Sequence, residues 1–195
     1  MQSLPLFKSH YSIGKSILTL EDNDEPNEKK PSSIIEIAKR NKLKSVFLVE
    51  DSMNGFLEAF QNCEENKIKL VFGLRLTVCE DYNTKDKDSV NKESKYVILA
   101  KNEEGYKRLI KISSDAACDG FYYQPRTDLK RIKSFWSDKD LQLCVPFYDS
   151  FLSNNTLTFS LCFPDFSFTK PVFFVEDNDI PFDYLIKNKV LNYCK

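Results

Sequence analysis

Residues 96–128 read YVILAKNEEGYKRLIKISSDAACDGFYYQPRTD, and the fold is legible from this stretch. Tyr96 to Ala100 is an apolar run of strand length, rich in β-formers. From Glu103 the pattern becomes helical, and a helix is predicted over Glu103–Ala117 with Leu109 and Ile112 on its buried side. Thr127-Asp128 then supplies a cap for another helix, running toward Trp136.

The same alternation recurs upstream. Pro31-Ser32-Ser33 precedes Ile34, Ile35 and Glu36, and Ser33 with Glu36 has the spacing of a capping box. That helix is predicted to reach about Asn41. Ser45 to Val49 (SVFLV) reads as a strand buried on both faces. After Gly55, the residues Phe56, Phe60 and Cys63 recur at helical spacing, and Lys69 to Val78 (KLVFGLRLTV) is again strand-like, with Gly73 allowing a bend. Strand followed by helix at least three times in 120 residues predicts parallel strands joined by crossover helices, hence an α/β layered or barrel fold. The strands around Val46, Val71 and Val97 are expected to be parallel and central.

Around this frame, Ser3–Leu20 is expected to carry a short strand, and Leu141–Val145, Thr156–Phe163 and Pro171–Val175 further ones. Asp179 is the predicted N-cap, and Pro181 the early helical proline, of a last helix. Two charge-dense stretches, residues 21–30 (EDNDEPNEKK) and 80–93, are expected to be mobile polar loops. With no repeat, low-complexity tract or long linker, residues 1–195 read as one domain.

The formal net charge is −1, so no global basic field draws the chain to nucleic acid. The six cysteines are scattered without a CxxC pair, which argues against a zinc ribbon and for reduced, mostly buried thiols. The opening MQSLPLFKSHYSIGK lacks a basic region followed by an apolar run, and no apolar stretch approaches the roughly 20 residues that span a bilayer. A cytoplasmic location without membrane contact is expected.

Three blocks carry a family resemblance. Leu99–Ser114 (LAKNEEGYKRLIKISS) is similar nearly residue for residue to a block in the PHP (polymerase and histidinol phosphatase) domain of bacterial DNA polymerase III alpha subunits. Gly120–Asp128 (GFYYQPRTD) resembles the GFYYxPRxD block that follows it there. Phe174–Cys194, through EDNDIPFDYLIKNKVLNYC (residues 176–194), looks like that family's segment after its late strand. The resemblance implies a PHP-type distorted barrel of mostly parallel strands with surrounding helices, the last strands falling beyond Lys195. It also implies a metal cluster at one end, held by His, Asp, Glu and Cys, that hydrolyses phosphoesters in active members.

This sequence departs from the implied ligands almost throughout. The family's HxHS stands here as Leu6-Phe7-Lys8-Ser9, with Tyr11-Ser12 preserved beyond it. The TDHxN motif falls at Val49–Ser52. Aligned from the strand, Glu50 takes the Asp position and Asp51 the His position; aligned back from Gly55, the pair is Val49 and Glu50. The family's Glu is Arg75 here, its next His is Lys95, and its SGC turn is Cys144-Val145-Pro146-Phe147. Leu cannot coordinate, and cationic side chains can neutralise leftover carboxylates without a metal. No catalytic, cofactor-binding or metal residue is therefore assigned. Glu50 and Asp51 are the pair that could still bind one Mg²⁺ weakly.

Single residues have plain readings beside the functional ones. His10, the lone histidine, could be a ligand or general base, but reads as a surface or hydrogen-bonded residue. Lys101, Lys107, Arg108 and Lys111 could meet DNA phosphates, yet suit a solvated helix face paired with Glu103 and Glu104. Phe121, Tyr122 and Tyr123 could stack on bases and more plainly pack a rim. The expectation is a structural and interaction module of a replicative polymerase, without phosphoesterase activity of its own. Its implied partners are the remaining polymerase domains or subunits and a proofreading exonuclease, with DNA reached indirectly. The rival is a free-standing metal-dependent phosphoesterase or proofreading nuclease of the same superfamily.

Overall fold

The computed structural model describes residues 4–22 and 31–195. The chain forms two compact units divided after Arg75, and the division falls inside a strand rather than in a linker.

The first unit contains β1 (Leu6–Phe7), α1 (Ile34–Arg40), β2 (Ser45–Glu50), α2 (Phe56–Glu65) and the first half of β3 (Lys69–Cys79). The capping box forms as its spacing predicts: the Ser33 hydroxyl accepts from Ile35 N–H at 3.1 Å, and the Glu36 carboxylate accepts from Ser33 N–H at 3.4 Å. β2 lies parallel to β1, with Leu6 opposite Phe47, and parallel to β3 from Ser45↔Lys69 to Glu50↔Leu74. β2 ends on a buried acid: Leu48 and Val49 are core, and Glu50 follows them, fully buried. On α2 the buried face is Phe56, Ala59 and Cys63, while Phe60 stays 46% exposed.

The second unit contains the rest of β3, α3 (Lys87–Val90), β4 (Ser94–Ala100), α4 (Glu103–Cys118), β5 (Arg126–Asp128), α5 (Leu129–Phe135), β6 (Leu141–Val145), α6 (Phe151–Leu157), β7 (Val172–Phe173) and α7 (Pro181–Tyr193). β3 pairs with β5 in parallel and β6 with β7 in parallel, but β4 meets β6 antiparallel, Val97 opposite Cys144 and Ala100 opposite Leu141. The strands around Val46 and Val71, β2 and β3, pair in parallel as expected. Lys101 N–H donates to Asp140 O at 2.8 Å, continuing the β4–β6 ladder one step beyond Ala100 and Leu141, so β6 starts where β4 ends. The fold is α/β with mostly parallel strand pairs.

Two glycines in the motif blocks are explained by close backbone approach. A Cβ on Gly105 would sit 2.2 Å from the Asp140 carbonyl oxygen, and one on Gly120 would sit 1.8 Å from that of Arg126. Asn102 caps α4 through Gly105 N–H at 2.9 Å, and Asp128 caps α5 through Arg131 N–H at 2.7 Å.

Three expectations need correction. Residues 156–163 form no strand: Ser150 caps α6, which runs through Leu157, and Leu161 and Phe163 beyond it face solvent. The N-cap of α7 is Ile180 without a side-chain bond, so Asp179 does not cap, although Pro181 occupies the first turn. Residues 80–93 are not simply a solvated loop, because they carry α3, and the Thr84 carbonyl and Ser89 hydroxyl accept from the buried Arg126 guanidinium. Of the stretch 21–30, residues 23–30 lie outside the described residues; Asp22 pairs with Lys39 and accepts from Asn66.

Candidate functional site

At the ends of β1 and β2 the chain gathers Lys8, Ser9, Ser12, Glu50 and Asp51. Parallel pairing brings Leu6-Phe7 alongside Phe47-Leu48, so the residues after β1 emerge beside the acids that end β2. Glu50 has no exposed surface, and its carboxylate accepts from Ser9 N–H at 2.7 Å and from the Ser12 hydroxyl. Asp51 accepts from the Lys8 ammonium at 3.0 Å and the Lys15 ammonium at 2.9 Å. Ser12 Oγ ties the two halves together, accepting from Asp51 N–H at 3.1 Å and from Lys8 at 3.4 Å.

The electrostatics follow from this geometry. Burial pushes the Lys8 ammonium below its ordinary value, opposed by its hydrogen bond to Asp51, with Arg75 adding like-charge repulsion. Burial would raise the Asp51 carboxyl, but hydrogen bonds from Lys15 and Lys8 together hold it below the usual carboxylate range. Both acids thus already have partners, and the cations in the group are side chains. A cluster of metal ions does not fit this donor set: a dication would have to displace Lys8 and Lys15 and withstand their repulsion. Among the described residues, no group of three or more His, Cys, Asp or Glu side chains is placed to hold a metal ion.

Val49 is a core residue, and Glu50 and Asp51 are the side chains that meet Ser12 and Lys8. The sequence reading did not find Lys15 or the part of Ser12, because their relation to residues some forty positions away exists only through the β1–β2 pairing.

In the second unit, Lys95 donates to the Thr77 hydroxyl and to Gln124 Oε1 at 3.4 Å. Gln124 in turn donates to Glu93 at 2.7 Å, and Glu93 accepts from Arg126 at 3.3 Å. Arg126 is fully buried and lies 4.8 Å from the centre of the Tyr122 ring. Cys144 is buried in β6, and burial pushes its thiol up to about 12, far from the thiolate a metal needs.

The plain readings of several residues hold. His10 is exposed, with Nδ1 3.3 Å from the Leu18 carbonyl oxygen. Lys107 pairs with Glu103 and Glu104, and Arg108 with Asp140. Tyr122 packs on Arg126, whereas Phe121 and Tyr123 are exposed rather than packed at a rim.

A family profile described as the PHP domain matches residues 27–147 of this chain. The chain is 31% identical over 109 residues to the DNA polymerase III subunit alpha of Borreliella burgdorferi, covering 54% of this chain and 10% of that protein. It is 33% identical over 101 residues to the subunit of Helicobacter pylori, covering 50% and 8%, and 36% identical over 76 residues to that of Chlamydia trachomatis, covering 38% and 6%. The chain thus spans a tenth or less of the length of these relatives. The profile stops at Phe147, short of residues 176–194. With nearly two thirds of its length matched and an α/β, mostly parallel fold around the expected strand ends, the chain belongs to the PHP domain family.

Proposed function

We propose that this chain is a PHP-type structural and interaction module of a replicative DNA polymerase, without phosphoesterase activity of its own. The observation that carries the reading is the ion pair of Lys8 with Asp51, reinforced by Lys15, at strand ends where the family gathers imidazoles and acids. An ammonium there supplies internally the positive charge that metals supply in active members, so the framework keeps its shape without them. The similarity to polymerase III alpha subunits supports the replication context, and the other polymerase domains or subunits are the first partners to expect. A proofreading exonuclease is a second, and DNA is reached through the polymerase. No helix among the described residues is long and apolar enough to cross a membrane, in keeping with a cytoplasmic role.

The test is elemental analysis of protein purified without chelator, together with hydrolysis assays on a chromogenic phosphoester and on single-stranded DNA with added Mn²⁺. Metal far below one equivalent and no hydrolysis above background are expected. Near-stoichiometric metal with chelator-sensitive hydrolysis would overturn the reading in favour of a metal-dependent phosphoesterase.

A further inference from the structure

The last helix, α7, is seated on the second unit by one side. Ile186 and Val190 pack in a cluster with Phe147, Leu152 and Phe173, and Asp183 accepts from the Tyr148 hydroxyl and from Asn178 N–H at 2.6 Å. A helix held this way normally turns polar residues outward. The outer half of α7 instead carries Phe182, Tyr184, Leu185 and Leu191, between 38% and 72% exposed. By the helical repeat, Phe182 and Leu185 form one stripe and Tyr184 and Leu191 another, with Asn188 between them. Apolar residues thus surround the helix, the pattern of one that is covered on both sides.

The charges along this surface are divided by position. Glu176, Asp177 and Asp179 stand just before the helix, and Lys187, Lys189 and Lys195 stand on its second half and past its end, all of them exposed. None of these six makes a salt bridge within 4 Å to another described residue. Tyr184 and Leu185 lie midway between the two groups in sequence. Acids before a helix and lysines late in it also suit its own dipole, but that leaves the outward apolar side chains unexplained. A partner of one charge sign would match one end and be repelled by the other. A second α7 laid antiparallel matches both: with a twofold axis near Tyr184 and Leu185, the acids of each copy face the lysines of the other, and the apolar stripes meet between them.

We propose that the outer face of α7 is an interface for a second copy of this chain, the two helices packing antiparallel about a twofold axis in a weak homodimer. The helix has 13 residues and is about 20 Å long. One helix pair of that length buries less than the roughly 800 Å² per partner of a standard interface, so a Kd on the order of 10 µM is expected. The inference needs only the second unit and does not rest on the polymerase reading.

Sedimentation equilibrium of the full chain from about 1 to 200 µM tests it, and a monomer–dimer equilibrium is expected. Leu185→Glu should weaken association at least about tenfold while leaving thermal unfolding of the monomer unchanged, because the residue faces solvent there. The two charge-reversed chains, Lys187→Glu with Lys189→Glu and Glu176→Lys with Asp177→Lys, should each self-associate at least about tenfold more weakly. Asp179 is kept in both, because its φ of 56° disfavours lysine. Mixed in equal amounts, the two charge-reversed chains should form a heterodimer about as tight as the wild-type homodimer. A wild type that stays monomeric at about 200 µM would overturn the proposal and leave the face to another segment or partner. A dimer unaffected by Leu185→Glu would overturn it by placing the interface elsewhere, and a mixture no tighter than either reversed chain alone would overturn the antiparallel pairing.

Discussion

Replacing Glu50 by alanine should destabilise the fold itself, whether or not metal is present. The Glu50 side chain is fully buried and accepts two hydrogen bonds, from Ser9 N–H at 2.7 Å and from the Ser12 hydroxyl. Hydrogen bonds to a charged group contribute about 1.5–3 kcal/mol each, so removing the acceptor forfeits about 3–6 kcal/mol before relaxation. Relief from burying a carboxylate offsets part of this, and truncation to alanine leaves a cavity and an orphaned Ser9 N–H that add to it. A net loss of about 3 kcal/mol is expected, which for a chain of this size lowers Tm by roughly 6–12 °C. The assay is thermal and urea unfolding followed by circular dichroism, on wild type and variant, each with EDTA and with Mn²⁺. A shift below about 1 kcal/mol, or one that vanishes when the wild type is stripped with EDTA, would refute Glu50 as a structural anchor and restore it as a metal ligand.

Other outcomes follow from the same structure. Gly105→Ala should cost roughly 1–3 kcal/mol in urea unfolding despite the better helix propensity of alanine, because the new methyl meets the Asp140 carbonyl oxygen; a gain in stability would contradict that close approach. Arg126→Met should cost about 3 kcal/mol or more by stranding Glu93, whose side chain is only 10% exposed, and the double variant with Glu93→Leu should recover most of it; equal losses in both would refute the pairing. Because the folded state holds the Asp51 carboxyl below its ordinary value, its contribution is present above about pH 4 and is lost as pH falls through the lowered value; Asp51→Asn should flatten that acid limb in urea midpoints measured against pH, and an unchanged limb would argue against the Lys8 and Lys15 contacts.

What the sequence determined by itself was local. The capping box at Ser33 and Glu36, the cap at Asp128, the strand read over Ser45–Val49 and the helix from Glu103 all depend on neighbours a few residues away and all formed, the strand running one residue further to Glu50. That neither Leu6 nor Lys8 carries an imidazole was equally visible, because residue identity alone shows it. Tertiary structure decided what depends on distant partners. Residues 156–163 carry apolar residues suited to a strand, but α6 runs into them and no strand pairs with them. β4 and β6 run antiparallel with Ala100 opposite Leu141, a pairing between distant segments that no periodicity encodes. Likewise, Lys8 and Lys15 meet Asp51 only after β1 has paired with β2. Capping and periodicity are satisfied within a few residues of chain, whereas charge pairing is set by side chains that only the folded backbone brings together.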